Sequence, residues 1–318
     1  MMPDSLRALL VHAGQMLRKS GPAPDSAFFL RLLEREGPLR TLLLRWLRLR
    51  VSPDALPRMR ALAAPLDERA RLFRQAVSLL NVNETYKTTG SDRTRLADET
   101  ILGLMADPDT GLAEAKPLRL LDIGVSDGSA SVALLSRLPE GAEVILTDLH
   151  PVLYARGPGL CRVYLDGRRR LLGVKLLGLY LNLSLDARRD ATRYEAIDTL
   201  NPLLRERLGV GELRPFDATH DVLATPAHVI KCANVLNLGY FDAADIRAAA
   251  ANLGRSLVEG GFLVVSQNNA CYRDGEAVFV LRKSGQRLLL AGQTNNHAAL
   301  SLFDERPGRG EAEPCASS

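Results

Sequence analysis

Several things are missing from this 318-residue chain, and each absence narrows what it can be. Its four cysteines, Cys161, Cys232, Cys271 and Cys315, stand far apart with no C-x-x-C pair. Neither a zinc spacing nor a redox motif is present, and the expectation is four reduced thiols and no bound metal. A net charge of +4 is mild, and no run of lysines and arginines is long enough to indicate a nucleic-acid partner. No stretch approaches the roughly 18 consecutive apolar residues of a spanning helix, which argues against stable membrane insertion. Asp4 interrupts the start and no signal-peptide core follows, so the expected compartment is the cytoplasm. Apolar content of 46% and charged content of 25% are those of an ordinary globular protein.

The most informative stretch is Leu118 to Asp148. An apolar run, Leu118 to Ile123, is interrupted by Asp122 and meets the loop Gly124-Val-Ser-Asp-Gly128. A helical pattern follows from Ser129 to Leu138, Pro139-Glu-Gly141 ends it, and a second strand from Glu143 closes on Asp148. This is half of a doubly wound α/β unit, in which ligands bind outside the carboxyl ends of the strands. A dinucleotide site wants G-x-G-x-x-G, so that a pyrophosphate can rest on the helix N-terminus. Here Ser126 stands between the glycines and the acid Asp122 precedes them, which suits a ligand with a positive centre and no phosphate.

The run from Leu121 to Gly128 resembles the first motif of the class I S-adenosylmethionine-dependent methyltransferases, D-x-G-x-G-x-G, with Ser126 in place of the middle glycine. Asp148, in Thr147-Asp148-Leu149, matches the family's acid after the second strand, whose carboxylate accepts from the cofactor's ribose hydroxyls. The resemblance implies S-adenosyl-L-methionine as cofactor, with Asp122, Gly124, Ser126, Asp127, Gly128, Asp148 and Leu149 around it. Asp217-Ala218, after a short strand at Leu213 to Phe216, resembles the family's adenine site.

Around this unit the spacing predicts helices at Ser5 to Lys19, from Asp25 or Ser26 to Arg35, at Leu39 to Arg50 and at Glu68 to Leu80. Residues 1–80 are therefore expected to form a helical N-terminal cap. The basic, leucine-rich third helix is of a kind that can lie on membranes, although a solvated arginine face is the simpler reading. Asn81 to Arg95 is polar, and Tyr86 and Lys87 are candidates for closing over the cofactor by resemblance alone.

After Asp148 the next strand of the sheet does not arrive until Glu212. The intervening segment, about 150–211, is expected to be an inserted lid. Asp166-Gly167 marks a hairpin, Leu171 to Leu185 could touch lipid but reads more simply as a buried helix, and Tyr194 to Leu208 reads as helical. Its arginines, Arg168, Arg169, Arg170, Arg188 and Arg189, could meet an anionic substrate. The remaining strands are Ala227 to Cys232 and Phe262 to Ser266, separated by a helix at Ala243 to Leu257. A final hairpin, Ala277 to Arg282 with Arg287 to Ala291, fits the antiparallel last strand of the methyltransferase sheet. The fold expected is thus α/β, a Rossmann-like seven-stranded sheet over 81–306, followed by a disordered tail at 307–318.

Methyl transfer from a sulfonium needs in-line positioning more than it needs a base. The candidates for contact with the acceptor lie at strand ends: His150, Asn234 and Tyr240, with Asn237, Asn268 and Asn269 behind them. Asn234 is also placed to reach the cofactor's amino-acid end. Cys232-Ala-Asn234-Val-Leu236, with Tyr240-Phe241-Asp242, is similar to a run in the chemotaxis-receptor glutamate methyltransferases. The expected activity is methylation of an oxygen or nitrogen on a small molecule. Protein carboxylate methylation and a catalytically silent partner-binding fold are the alternatives. Oligomeric state is not legible.

Overall fold

A computed structural model describes residues 19–82, 85–86, 93–238 and 241–303. In chain order its elements are β1 (Gly21–Pro22), α1 (Ala27–Leu32), α2 (Pro38–Thr41) running into a π-helical turn over Leu42–Trp46, α3 (Ala55–Arg60) and α4 (Leu66–Leu79). The short pair β2 (Asn81–Val82) and β3 (Thr85–Tyr86) precedes α5 (Arg95–Ala106), β4 (Arg119–Ile123), α6 (Val132–Leu135) and β5 (Glu143–Asp148). Then come β6 (Val152–Arg156), β7 (Cys161–Leu165), β8 (Arg170–Leu176), β9 (Leu179–Arg188), β10 (Glu195–Asp198) and α7 (Pro202–Leu208). The chain continues through β11 (Arg214–Pro215), β12 (Ala227–Ala233), α8 (Ala243–Arg255), β13 (Leu257–Asn268), β14 (Glu276–Ser284) and β15 (Arg287–Thr294).

The chain divides into two compact units, Met1–Thr89 with His150–Gly211 and Gly90–Leu149 with Glu212–Ser318. This redraws the boundaries read from the sequence, a helical cap at 1–80 and a lid belonging to the methyltransferase domain. The N-terminal helices and the inserted segment share one apolar core: Phe29, Leu30, Leu33, Leu72 and Phe73 cluster with Leu153, Tyr164, Leu172, Tyr180 and Ile197. Each segment covers apolar side chains of the other.

The insertion is a sheet, where helices were expected at Leu171 to Leu185 and Tyr194 to Leu208. Its order is β1-β9-β8-β7-β6-β10, antiparallel throughout. The physical reason lies in Leu179-Tyr-Leu-Asn-Leu-Ser-Leu-Asp186, which alternates with period two and cannot put all its leucines on one side of a helix. Only Pro202–Leu208 of the second expected helix is helical, begun by Asn201, whose side chain accepts from the Leu203 N–H at 3.0 Å. The third expected helix is also shorter: α2 and its π-turn end at Trp46. Ser26 caps α1 as expected, its hydroxyl accepting from the Phe29 N–H at 3.2 Å. Cys161 and Cys232 are free, and Cys271 is disulfide-bonded, in place of the reduced thiol expected there.

The second unit carries a seven-stranded sheet in the order β11-β5-β4-β12-β13-β14-β15. The first five strands are parallel, and β14 runs antiparallel to β13. At the edge β15 turns back again, antiparallel to β14, so the hairpin expected from the sequence closes the sheet. Apolar clusters line both faces, one with α8 residues Ala249 and Leu253 and the other with α5 residues Ala97 and Ile101. This order places the carboxyl ends of β4 and β12 side by side at the centre, where the strand order reverses and ligands bind in open α/β sheets.

Candidate cofactor site

The site is built where β4, β5, β12 and β13 end. Beyond Ile123 the loop folds over the end of β5, with the Gly124 and Val125 N–H groups donating to the Thr147 carbonyl at 2.8 and 3.0 Å. Gly124 has φ +70°, and a Cβ there would lie 2.3 Å from Val235 Cγ2, in the loop after β12. Only glycine fits that conformation and that approach together. Gly128 closes the loop at φ +79°, its N–H donating to the Val125 carbonyl at 2.8 Å. Ser126, where the motif has its middle glycine, adopts φ +60° itself, so the backbone keeps the glycine conformation with a hydroxyl added.

Asp148 ends β5 with a buried carboxylate, and Oδ2 accepts from the Ser126 N–H at 2.9 Å. The two sequence signals, glycine loop and acid, are thus hydrogen-bonded to each other. Ser126 Oγ is buried without a hydrogen-bond partner among the described residues. A buried hydroxyl in that state is costly unless a ligand satisfies it. Asp127 is fully buried and accepts from the Ser129 N–H and hydroxyl at 3.0 and 2.7 Å, which starts the turn into α6. Leu149, the next residue after Asp148, is exposed.

Asp122 is turned into the body of the unit. Its Oδ2 accepts from Ser131 Oγ at 2.8 Å and lies 3.5 Å from Lys231 Nζ. Lys231 also pairs with Asp98 Oδ1 at 2.6 Å and donates to Thr94 Oγ1 at 3.1 Å. The register sets Lys231 beside Asp122 on adjacent strands β12 and β4, which places both side chains on one face. Burial alone would lower the Lys231 pKa, but the charges of Asp122 and Asp98 outweigh it and hold the ammonium charged. Burial, with the added charge of Asp122, pushes the Asp98 carboxyl up against the pull of Lys231. Sequence reasoning missed this cluster. The available signal was Lys231 itself, a charge inside the apolar run Ala227–Ala233.

Asn234 follows β12 at φ +60° and forms a reciprocal amide pair with Asn268 at the end of β13. Its Nδ2 donates to Asn268 Oδ1 and its Oδ1 accepts from the Asn268 N–H, both at 2.8 Å. Asp217 is engaged locally: Oδ1 accepts from the Thr219 N–H and hydroxyl at 3.0 and 2.6 Å. The carbonyl of Ala218 accepts from Asn252 Nδ2 at 3.1 Å. His150 belongs to the other unit, where it is buried against Gly167. Tyr240 and Lys87 lie outside the described residues, as do the tail 307–318 and the side chain of Tyr86. The structure therefore brings together Gly124, Ser126, Asp148 and the Asn234 loop, and Asp217-Ala218 follows the strand β11 that pairs with β5, where the Phe216 N–H donates to the Asp148 carbonyl at 3.2 Å.

No family model and no curated protein matches the sequence. Among solved structures, the chain is similar to the amino pentose methyltransferase CalS10 of Micromonospora echinaspora, at 18% identity over 70% of each chain with a TM-score of 0.33. It is also similar to the N-methyltransferase NodS of Bradyrhizobium japonicum, at 17% identity over 67% of this chain and 71% of that one, TM-score 0.30. A third likeness is to magnesium protoporphyrin IX methyltransferase of Synechocystis, at 15% identity over 56% and 59%, TM-score 0.31. The second unit's sheet is Rossmann-like, five parallel strands closed by an antiparallel hairpin.

Proposed function

We propose that the second unit binds S-adenosyl-L-methionine across the ends of β4, β5 and β12 and transfers its methyl group to an acceptor. The observation that carries this reading is the bond between the Ser126 N–H and Asp148, which joins the glycine loop to the acid after the second strand. The fit of the cofactor rests on three features. Gly124 permits close backbone approach, the orphaned Ser126 hydroxyl is available as a partner, and Asp148 is placed to receive ribose hydroxyls. No phosphate has to be accommodated beside these acids.

The cofactor, when bound, supplies an activated methyl group together with its own leaving group. The chain's part is to hold and align. Asp148 orients the ribose, the Gly124–Gly128 loop sets the depth of binding, and the Asn234–Asn268 pair fixes the loops that border the reacting end. Those two amides are tied to each other and are not bases. An acceptor oxygen or nitrogen that is already nucleophilic suits such a site, and alignment is the main lever on rate. The acceptor class is a small molecule in this reading, with a protein carboxylate as the second possibility to be screened.

Calorimetric titration with S-adenosylhomocysteine, with NADH and NADPH as controls, tests the cofactor. Selective micromolar binding, lost in Asp148→Ala, is the expected result. Wild-type affinity in Asp148→Ala would move the ribose site elsewhere, and binding of NADH in place of the homocysteine adduct would overturn the reading.

A further inference from the structure

The outer face of the inserted sheet is more apolar than its inner face at β9. Tyr180 and Asn182 are buried toward the core of the first unit, while the alternate positions carry Leu179, Leu181, Leu183 and Leu185. Leu179 and Leu185 are 42% and 37% exposed, and the two leucines between them are half-buried. An antiparallel sheet with one covered face ordinarily sets polar residues outward, so this strand is inverted relative to that rule. On β8 the cross-strand partners continue the face, Val174 opposite Leu181 and Leu176 opposite Leu179. At the hairpin tip Leu177 is 75% exposed, and its N–H donates to the carbonyl of Leu160, also exposed, at 2.7 Å.

The same edge adjoins the N-terminal helical segment. Pro22 of β1 pairs with Leu179, and its carbonyl accepts from the Arg50 N–H at 2.8 Å. Just upstream, Leu39, Leu42, Trp46 and Leu47 all face solvent, and Trp46, the chain's one tryptophan, is 74% exposed. Gly37 to Pro53 contains no acid and carries Arg40, Arg45, Arg48 and Arg50, of which Arg40 pairs with Glu36 and Arg50 donates to the Leu44 and Leu49 carbonyls. Arg45, Arg48 and Arg50 line a cavity of about 590 Å³ with Leu44, Leu49 and Leu79. At the far end of β9 stand Arg188 and Arg189, and the Arg189 N–H donates to the Arg169 carbonyl at 2.9 Å, which adds Arg168 and Arg169. Asp186 and Asp190 lie among these four arginines, and Asp190 is bonded to Thr192.

We propose that this face of the first unit docks on an anionic lipid surface. Exposed leucines and a tryptophan in one unit are the residues that mark an interaction site. Leucines and a tryptophan flanked by arginines match the chemistry of the headgroup boundary, where the apolar side chains enter and the guanidiniums meet lipid phosphates. A second copy is a poorer fit. Both ends of the face are basic, so a two-fold pairing would set arginine rim against arginine rim. No described helix is long and apolar enough to cross a membrane, and the docking is peripheral. It is independent of methyl transfer, which the second unit alone carries in the reading above.

The test uses full-length protein and phosphatidylcholine vesicles with and without phosphatidylglycerol, at low and high salt. Co-sedimentation with the anionic vesicles that weakens at high salt, with a blue shift of Trp46 emission and its quenching by brominated lipid, is the expected result. Replacing both Arg45 and Arg48 with Gln should reduce partitioning roughly thirtyfold at low salt. Trp46→Ala and Leu185→Asp, followed by sedimentation, should each weaken it severalfold, whereas Val222→Asp in the second unit should not. No sedimentation, equal sedimentation with neutral vesicles, or an emission shift that appears without vesicles and grows with protein concentration would each overturn the proposal, the last by assigning the face to a second copy.

Discussion

The first unit buries Lys175 between Asp25 and Asp54, and the second buries Lys231 between Asp98 and Asp122. The chemistry is the same and the consequence differs. Both clusters join residues far apart in sequence, but in the first unit they come from the N-terminal region and the insertion. Asp25 and Asp54 come from the N-terminal region and Lys175 from the inserted strand β8, while Asp25 also accepts from the Ser52 N–H and hydroxyl at 2.7 and 2.6 Å. In the second unit Asp98 comes from α5 and the other two residues from neighbouring strands directly behind the glycine loop. A buried ion pair adds little net stability once desolvation is counted, but removing one partner is severe because a charge is left stranded. One cluster therefore ties the N-terminal region to the insertion, and the other lies behind the glycine loop.

The largest expected effect follows from stranding those charges. Lys175→Met and Lys231→Met should each cost about 3–5 kcal/mol of stability, measured by urea unfolding. Hydrogen exchange resolved by segment should separate them: Lys175→Met loosens β7 to β9, Lys231→Met loosens β4 and α5. Only Lys231→Met should weaken S-adenosylhomocysteine binding. Equal loss of binding in both variants would break the distinction between the clusters.

The second unit also buries a group that must stay neutral. His297 accepts from the Ala299 N–H at 3.0 Å, its Nε2 has no partner among the described residues, and its ring packs edge-on to Phe279. Burial pushes its pKa down from 6.5 to about 4. A depressed base favours folding when unprotonated, so its contribution is fully present above pH 6.5 and is lost as the pH falls toward about 4. The loss amounts to about 3 kcal/mol from the size of that shift. His297→Phe should flatten the acid limb of the pH–stability curve for the second unit and leave exchange in the first unit unchanged.

Asp148→Ala should weaken S-adenosylhomocysteine binding by about 2 kcal/mol, the scale of a hydrogen bond to a charged group. The smallest effect concerns Ser126. Its positive φ is strained for a residue with a Cβ, so Ser126→Gly should raise stability by up to about 1 kcal/mol. A drop in the urea midpoint would show that the hydroxyl contributes more than the backbone strain costs.

Much of the second unit was legible because its signals are local. A glycine forced by φ +70°, a strand that ends in an acid and a turn between two apolar runs all sit within a few residues of the group they act on. Asn234 could be located at a strand end but not assigned its partner, because it is tied to Asn268 by a pairing that linear spacing does not encode, whereas the Asp217–Thr219 bond is local. The insertion was misread for a different reason. Its leucine content outweighed its period, although the alternation from Leu179 to Asp186 was present in the letters.

The amino-acid sequence by itself determined the glycine loop, the acid that ends β5, the Ser26 helix cap and the closing hairpin, since each depends on backbone conformation and nearest neighbours. Only the tertiary structure decided that residues from the N-terminal region and the insertion share one core, that Lys231 sits between two acids, and that the leucines of β9 face outward. Those outcomes depend on which surfaces meet. Burial and pairing are properties of segments brought together across the chain, and no single stretch of sequence carries them.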